Sequence, residues 1–128
     1  MQTAQYFPLL DRHMGDFSVL MGRDTLIYGA LCYSAAGSIA ACANVALRLC
    51  VDIYEKFIEG DLKGSLKAQF ALAPLRIAFG LGTFPAVIKE SLDLLGIEAG
   101  PCIEPAGPLT SDEQAKLRKV LIDMGLLK

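Results

Sequence analysis

Four cysteines occur in the sequence, yet none is paired as Cys-x-x-Cys, and the only histidine is His13. A zinc centre needs clustered thiolate and imidazole ligands, so no metal site is expected. No motif calls for another cofactor. Cys32, Cys42, Cys50 and Cys102 sit mostly among Ala, Leu, Val and Tyr and read as reduced fillers of a cytosolic core. Charge is sparse as well. The net charge is −2 and no acidic or basic run stands out. A nucleic-acid partner is not expected without a basic field. Repeats and low-complexity tracts are absent. The opening MQTAQYFPLLDRH lacks the basic start and apolar core of a secretory signal, which makes a cytoplasmic location the expectation.

What is present is apolar. At 128 residues, 53% hydrophobic and a mean hydropathy of +0.42, the chain is one domain or less with much to bury. Either its own core is large, or it buries surface against something else. The organising stretch is Phe17 to Asn44. Phe17 to Met21 is a short apolar run bounded by Gly15-Asp16 and Gly22, and reads as a buried strand. Asp24-Thr25 can cap a helix running to about Ala35. Leu26, Ile27, Ala30, Leu31 and Tyr33 cover most of that helix, so burial on several sides is expected. Gly37 then releases the chain into a second strand reaching Cys42. Strand, turn, helix and strand make a βαβ unit.

After Asn44 helices dominate. Leu49, Ile53 and Phe57 recur every four residues within Ala46 to Glu59, which Gly60 ends. Leu62 to Phe79 carries Leu66, Phe70, Ala73 and Ile77 as its apolar positions, with a kink expected at Pro74. Pro85 opens a helix to Leu95, with Ile88, Leu92 and Leu95 on one stripe. A loop with three prolines follows. Thr110-Ser111-Asp112-Glu113 then caps a last helix whose apolar face is Leu117, Val120, Leu121 and Met124. Near the start, Met1 to His13 is weakly helical, and His13 reads as a surface residue.

At MGRD, AAGSIAACANV and FPAVIKESLDLLGIEAGP the sequence resembles the C-terminal part of the dihydrodipicolinate synthase / N-acetylneuraminate lyase family. The order and spacing of these motifs carry the likeness. It implies the C-terminal fragment of a TIM barrel, an α/β fold, mostly helical by residue count. Residues 1–44 would hold the last two barrel strands, and 45–128 the eighth barrel helix and a helical extension. The family forms a Schiff base between a sixth-strand lysine and pyruvate or a related 2-keto acid. That lysine would lie upstream of the matching region, so this stretch is expected to be inactive alone.

The resemblance also implies a substrate-binding wall. Gly22 resembles a glycine whose missing side chain admits substrate to the backbone. Ile39 resembles an eighth-strand residue whose carbonyl faces the imine. Asp24 and Thr25 match positions that hold polyhydroxy tails in sialic-acid-type members. Barrel sites lie at the C-terminal ends of strands, where these residues fall. Several positions depart from the pattern. Ser34 stands where Gly is common, Leu47 where Pro is frequent, Phe84 before Pro85 where Asn is usual, and Ile103 where Arg is often found. Ala40 and Ala41 lack the hydroxyl used for sialic acid, which argues for a smaller keto acid or sugar acid.

Lys89 in PAVIKESL is not a nucleophile. A catalytic lysine needs a desolvated pocket, and a helix bearing Glu90 and Asp93 does not supply one. Two other readings compete with the lyase fragment. One is a non-catalytic helical module for oligomerisation, as a homo-oligomer is expected. The other is a membrane span over the uncharged Thr25 to Leu47, which its Ala, Ser and Gly content and the Gly37 break disfavour. No membrane partner is expected.

Overall fold

A computed structural model describes residues 17–128. The helix expected over Met1 to His13, with its surface histidine, lies outside these residues. β1 (Leu20–Met21) and β2 (Gly37–Ser38) pair in parallel, Leu20 opposite Gly37 and Met21 opposite Ser38. A 3-10 turn (Asp24–Leu26) and helix α1 (Ile27–Cys32) cross between them. The expected β-α-β order is present, with shorter parts. Single bonds extend the ladder at each end, Ala36 N–H to the Val19 carbonyl and Ile39 N–H to the Met21 carbonyl.

Three expectations are corrected. β1 is not buried on both faces: Val19 and Met21 are buried, whereas Phe17 and Leu20 are exposed. The described residues place no third strand beside it. β2 stops at Ser38 because a 3-10 helix (Ala41–Asn44) takes over, leaving Cys42 outside the strand. α1 ends at Cys32 and buries one side only, through Ile27, Ala30 and Leu31, while Leu26 and Tyr33 are exposed.

α1 closes in a Schellman motif. Ala35 N–H donates to the Ala30 carbonyl and Ser34 N–H to the Leu31 carbonyl, with Ser34 at φ +66°. A Cβ at that φ is disfavoured, which is why a glycine suits position 34.

Four longer helices follow: α2 (Leu47–Ile58), α3 (Leu62–Ala78), α4 (Ala86–Leu94) and α5 (Ser111–Asp123). α2 turns Ile53 inward, with Leu49 and Phe57 beside it. α5 opens on a complete capping box, Thr110 Oγ1 accepting from Glu113 N–H and Glu113 returning a carboxylate to Thr110 N–H. Its Leu117 and Leu121 are fully buried.

The face assigned to α3 is reversed. Phe70 and Ile77 point outward, 68% and 73% exposed, and α3 continues through Pro74. The buried side carries Ser65, Ala68, Gln69, Leu72, Leu75 and Ala78. Two polar residues face inward because each has a backbone partner there. Ser65 Oγ donates to the Ile53 carbonyl at 2.6 Å, bolting α3 to α2. Gln69 reaches the βαβ unit.

The main core joins α1 and the turn after β2 to the later helices, while Met21, Ala30 and Ala35 form a second, smaller cluster between β1 and α1. Ile27, Leu31 and Cys42 pack in the same cluster as Ile53, Leu72, Val87 and Leu117. Segments 17–44 and 45–128 therefore share their buried apolar surface. Replacing Ser34 with Gly should raise unfolding stability by about 0.5–1 kcal/mol, measured by urea titration, since it relieves the left-handed strain. Equal midpoints for both proteins would refute this.

Candidate functional site

In a parallel pair both strands end at the same edge of the sheet. Gly22 directly follows β1 and Ile39 directly follows β2, so the two share that edge. A Cβ added to Gly22 would meet no heavy atom within 4 Å, and the residue is exposed. Ile39 is 72% exposed, with its N–H fixed on Met21 at 2.9 Å. Thr25 is half-buried in the 3-10 turn. Three of the four expected site residues thus reach the surface at one end of the sheet.

Asp24 differs. It is 4% exposed, and its carboxylate serves the protein. Oδ1 accepts the Cys42 N–H at 2.7 Å, and Oδ2 lies 3.4 Å from Arg76 Nε. The helix-cap reading is corrected, because no side chain caps the 3-10 turn or α1. Asp24 instead ties the turn after β1 to the turn after β2. Its bond to Cys42 N–H satisfies a donor in the first turn of the 3-10 helix that replaces the expected end of the second strand.

α3 completes the arrangement. Gln69 Nε2 donates to the Asp24 carbonyl at 2.8 Å, and Gln69 Oε1 accepts Tyr28 N–H at 2.9 Å. Arg76 stacks over Phe79, 5.5 Å from the ring centroid, while addressing Asp24. Neither Gln69 nor Arg76 was singled out by the apolar periodicity. A signal was available: Ser65, Gln69, Leu72 and Arg76 recur at helical spacing on one face.

The thiols beside this cluster are held neutral. Burial, reinforced by the Asp24 carboxylate, pushes Cys42 well above the ordinary thiol range. The same two causes raise Cys50 from 9.0 to about 11. Among the described residues no group of three or more His, Cys, Asp or Glu side chains could hold a metal. All four cysteines are free; Cys42 is buried and Cys32 exposed, so only part of the core-filler reading applies.

Two clefts lie outside the four expected site residues, the first of them lined by Ser38 and Ala40 on either side of Ile39. One of about 380 Å³ runs between β2 and α2, lined by Gly37, Ser38, Leu47, Cys50 and Tyr54. The other, about 210 Å³, is lined by Lys89, Asp93, Pro101, Cys102 and Leu109. Lys89 Nζ there donates to the Ala99 and Pro101 carbonyls at 2.8 and 3.1 Å, pinning the proline-rich loop. Neither cleft is lined by Gly22, Asp24, Thr25 or Ile39. No helix among the described residues is long and apolar enough to cross a membrane.

Residues 3–124 match the model of the dihydrodipicolinate synthetase family. A 4-hydroxy-tetrahydrodipicolinate synthase of Methanothrix thermoacetophila is 37% identical over 109 residues, covering 85% of this chain and 37% of its own. An uncharacterised DapA-like lyase of Halobacterium salinarum is 37% identical over 112 residues, 88% of this chain and 37% of its own. The dihydrodipicolinate synthase of Thermotoga maritima superposes with a TM-score of 0.90 at 29% identity, covering 98% of this chain and 43% of its own. A prophage family member from E. coli K12, solved with pyruvate, gives 0.86 at 26% identity, covering 97% and 42%. The chain spans about two fifths of the length of these relatives.

Two outcomes follow from the Asp24 cluster. Asp24→Ala should cost about 2–3 kcal/mol in urea unfolding, since it strands a buried N–H and removes a charged acceptor, and Asp24→Asn should cost less. Equal losses would show that the acceptor oxygen at Cys42 is irrelevant. Because the folded pKa of Cys50 is raised, its contribution to stability is complete below pH 9 and is lost as pH climbs towards about 11. Brief iodoacetamide pulses followed by peptide mass should therefore find Cys32 modified first at pH 8, with Cys50 labelling only as pH approaches 11.

Proposed function

The chain belongs to the dihydrodipicolinate synthetase family, and from that we propose that it forms the C-terminal part of a Schiff-base lyase acting on pyruvate or a related 2-keto acid or sugar acid. The observation that carries this reading is the shared edge of the parallel pair, where Gly22, Thr25 and Ile39 emerge beside each other. β1 and β2 then correspond to the last two strands of a (β/α)₈ barrel, α2 to its eighth helix, and α3 to α5 to the helical extension. Substrates of such barrels sit at the C-terminal ends of the strands.

In this reading a lysine outside the stretch condenses with the ketone of the 2-keto acid and releases water. The protonated imine then withdraws the electron pair of the neighbouring C–C bond as it breaks, or feeds an enamine into bond formation. Gly22 leaves backbone room for the bound acid. Ile39 presents its carbonyl, in the peptide that follows the one anchored on Met21, towards the imine. Thr25 offers a hydroxyl to the substrate tail, and Asp24 braces the wall. Ala40 and Ala41 add no hydroxyl, in keeping with a small substrate.

Treating the purified chain with pyruvate and borohydride should leave its intact mass unchanged, since no lysine of this stretch acts as the nucleophile. A stable pyruvate adduct would overturn this. A second reading, a helical assembly module, draws on the outward Phe70 and Ile77 of α3. It requires a concentration-dependent oligomer that Phe70→Ser and Ile77→Ser dissociate in sedimentation experiments.

A further inference from the structure

We infer that Gln69 is a positioning residue of the site wall, its side-chain amide bridging the Tyr28 N–H and the Asp24 carbonyl so that the turn after β1 stays open. The inference deepens the lyase reading and rests on it for the meaning of the wall. Tyr28 N–H and the Asp24 carbonyl are four residues apart, the spacing of an α-helical hydrogen bond. Both are met by one amide from α3, and Gln69 is 6% exposed. A single primary amide is suited to this, since its oxygen accepts and its nitrogen donates.

The consequence is geometric. Residues 24–26 wind at the tighter 3-10 pitch, and the α-helix begins only at Ile27. Had the turn closed as α-helix from Asp24 onward, that residue would rotate about the axis and carry its carboxylate away from Cys42. With Gln69 inserted, the carboxylate spans from the end of β1 to Cys42 N–H at 2.7 Å. That bond fixes the 3-10 turn just after Ile39, and with it the peptide that faces the imine in the proposed site. Gln69 acts on the wall through Asp24, and touches no part of it that a substrate would reach.

The test is amide hydrogen exchange of the full chain by NMR, comparing wild type with Gln69→Met, which keeps the side-chain length and removes both hydrogen-bonding groups. Exchange at Tyr28 and at Cys42 should become about tenfold faster or more, while Leu117 and Leu121 keep wild-type protection. The change at Cys42 is the informative one, because Gln69 does not bond to it. A purely local role predicts faster exchange at Tyr28 alone and a space-filling role no change at either amide; unchanged protection at Cys42 overturns the inference in both cases. Should the Met variant fail to fold, Gln69→Glu decides. Its carboxyl, when protonated, can donate and accept as the amide does; once ionised it still accepts Tyr28 N–H but no longer donates to the Asp24 carbonyl, so protection of Cys42 should fall between about pH 4 and 7 while Tyr28 keeps its acceptor. Protection that tracks wild type across that range would overturn the inference. The exchange pattern is independent of Schiff-base chemistry. A pyruvate adduct on this chain would overturn only the placement of the nucleophile outside the stretch, and would leave the amides unaffected.

Discussion

A carboxylate that is 4% exposed must be compensated at each oxygen, and the fold of this chain is arranged around that requirement. Asp24 draws a backbone N–H from the segment after β2 and a guanidinium from α3. Its carbonyl draws an amide from the same helix. Two strands of two residues each offer little cohesion by themselves. The polar contacts of Asp24 supply direction, and the apolar cluster from Ile27 to Leu121 supplies the driving force. Without the first, the second would not specify which turn meets which helix.

This division of labour explains why α3 has polar residues inside and aromatic ones outside. Ser65 and Gln69 are buried because the backbone of α2 and of the turn after β1 present them with hydrogen-bonding groups. Phe70, Pro74 and Ile77 then occupy the opposite side by geometry alone. The membership of the dihydrodipicolinate synthetase family gives that outward side a context. The chain is about two fifths of its relatives, so surface that is open here need not be open in a longer protein.

The order of elements was legible in the sequence because it rests on local signals: Gly22 and Gly37 around α1, Gly60 after α2, Thr110 and Glu113 before α5. The family likeness was legible from MGRD, AAGSIAACANV and FPAVIKESL, and the comparisons agree with it. The strand lengths and the face of α3 were not legible. Both depend on contacts between residues far apart in the chain, Asp24 with Cys42 and Gln69 with Asp24, which no local pattern encodes. Counting apolar residues favoured Phe70 and Ile77, whereas burial was decided by which side chains could satisfy a backbone group. Of the site, the edge residues Gly22, Thr25 and Ile39 came from the resemblance; the engaged state of Asp24 came only from the structure.

The bond between Gln69 and Asp24 joins residues 45 apart in sequence. A chain emerging from the ribosome exposes Asp24 long before α3 exists to receive it. Until then the turn after β1 has neither the amide that holds it open nor the guanidinium that balances its charge. The final form of the βαβ unit and the packing of α3 are therefore completed by the same contacts. Closing that long loop carries an entropy cost which is met only when α3 is docked, so an opening of α3 exposes the Asp24 carboxylate and frees the turn after β1 together.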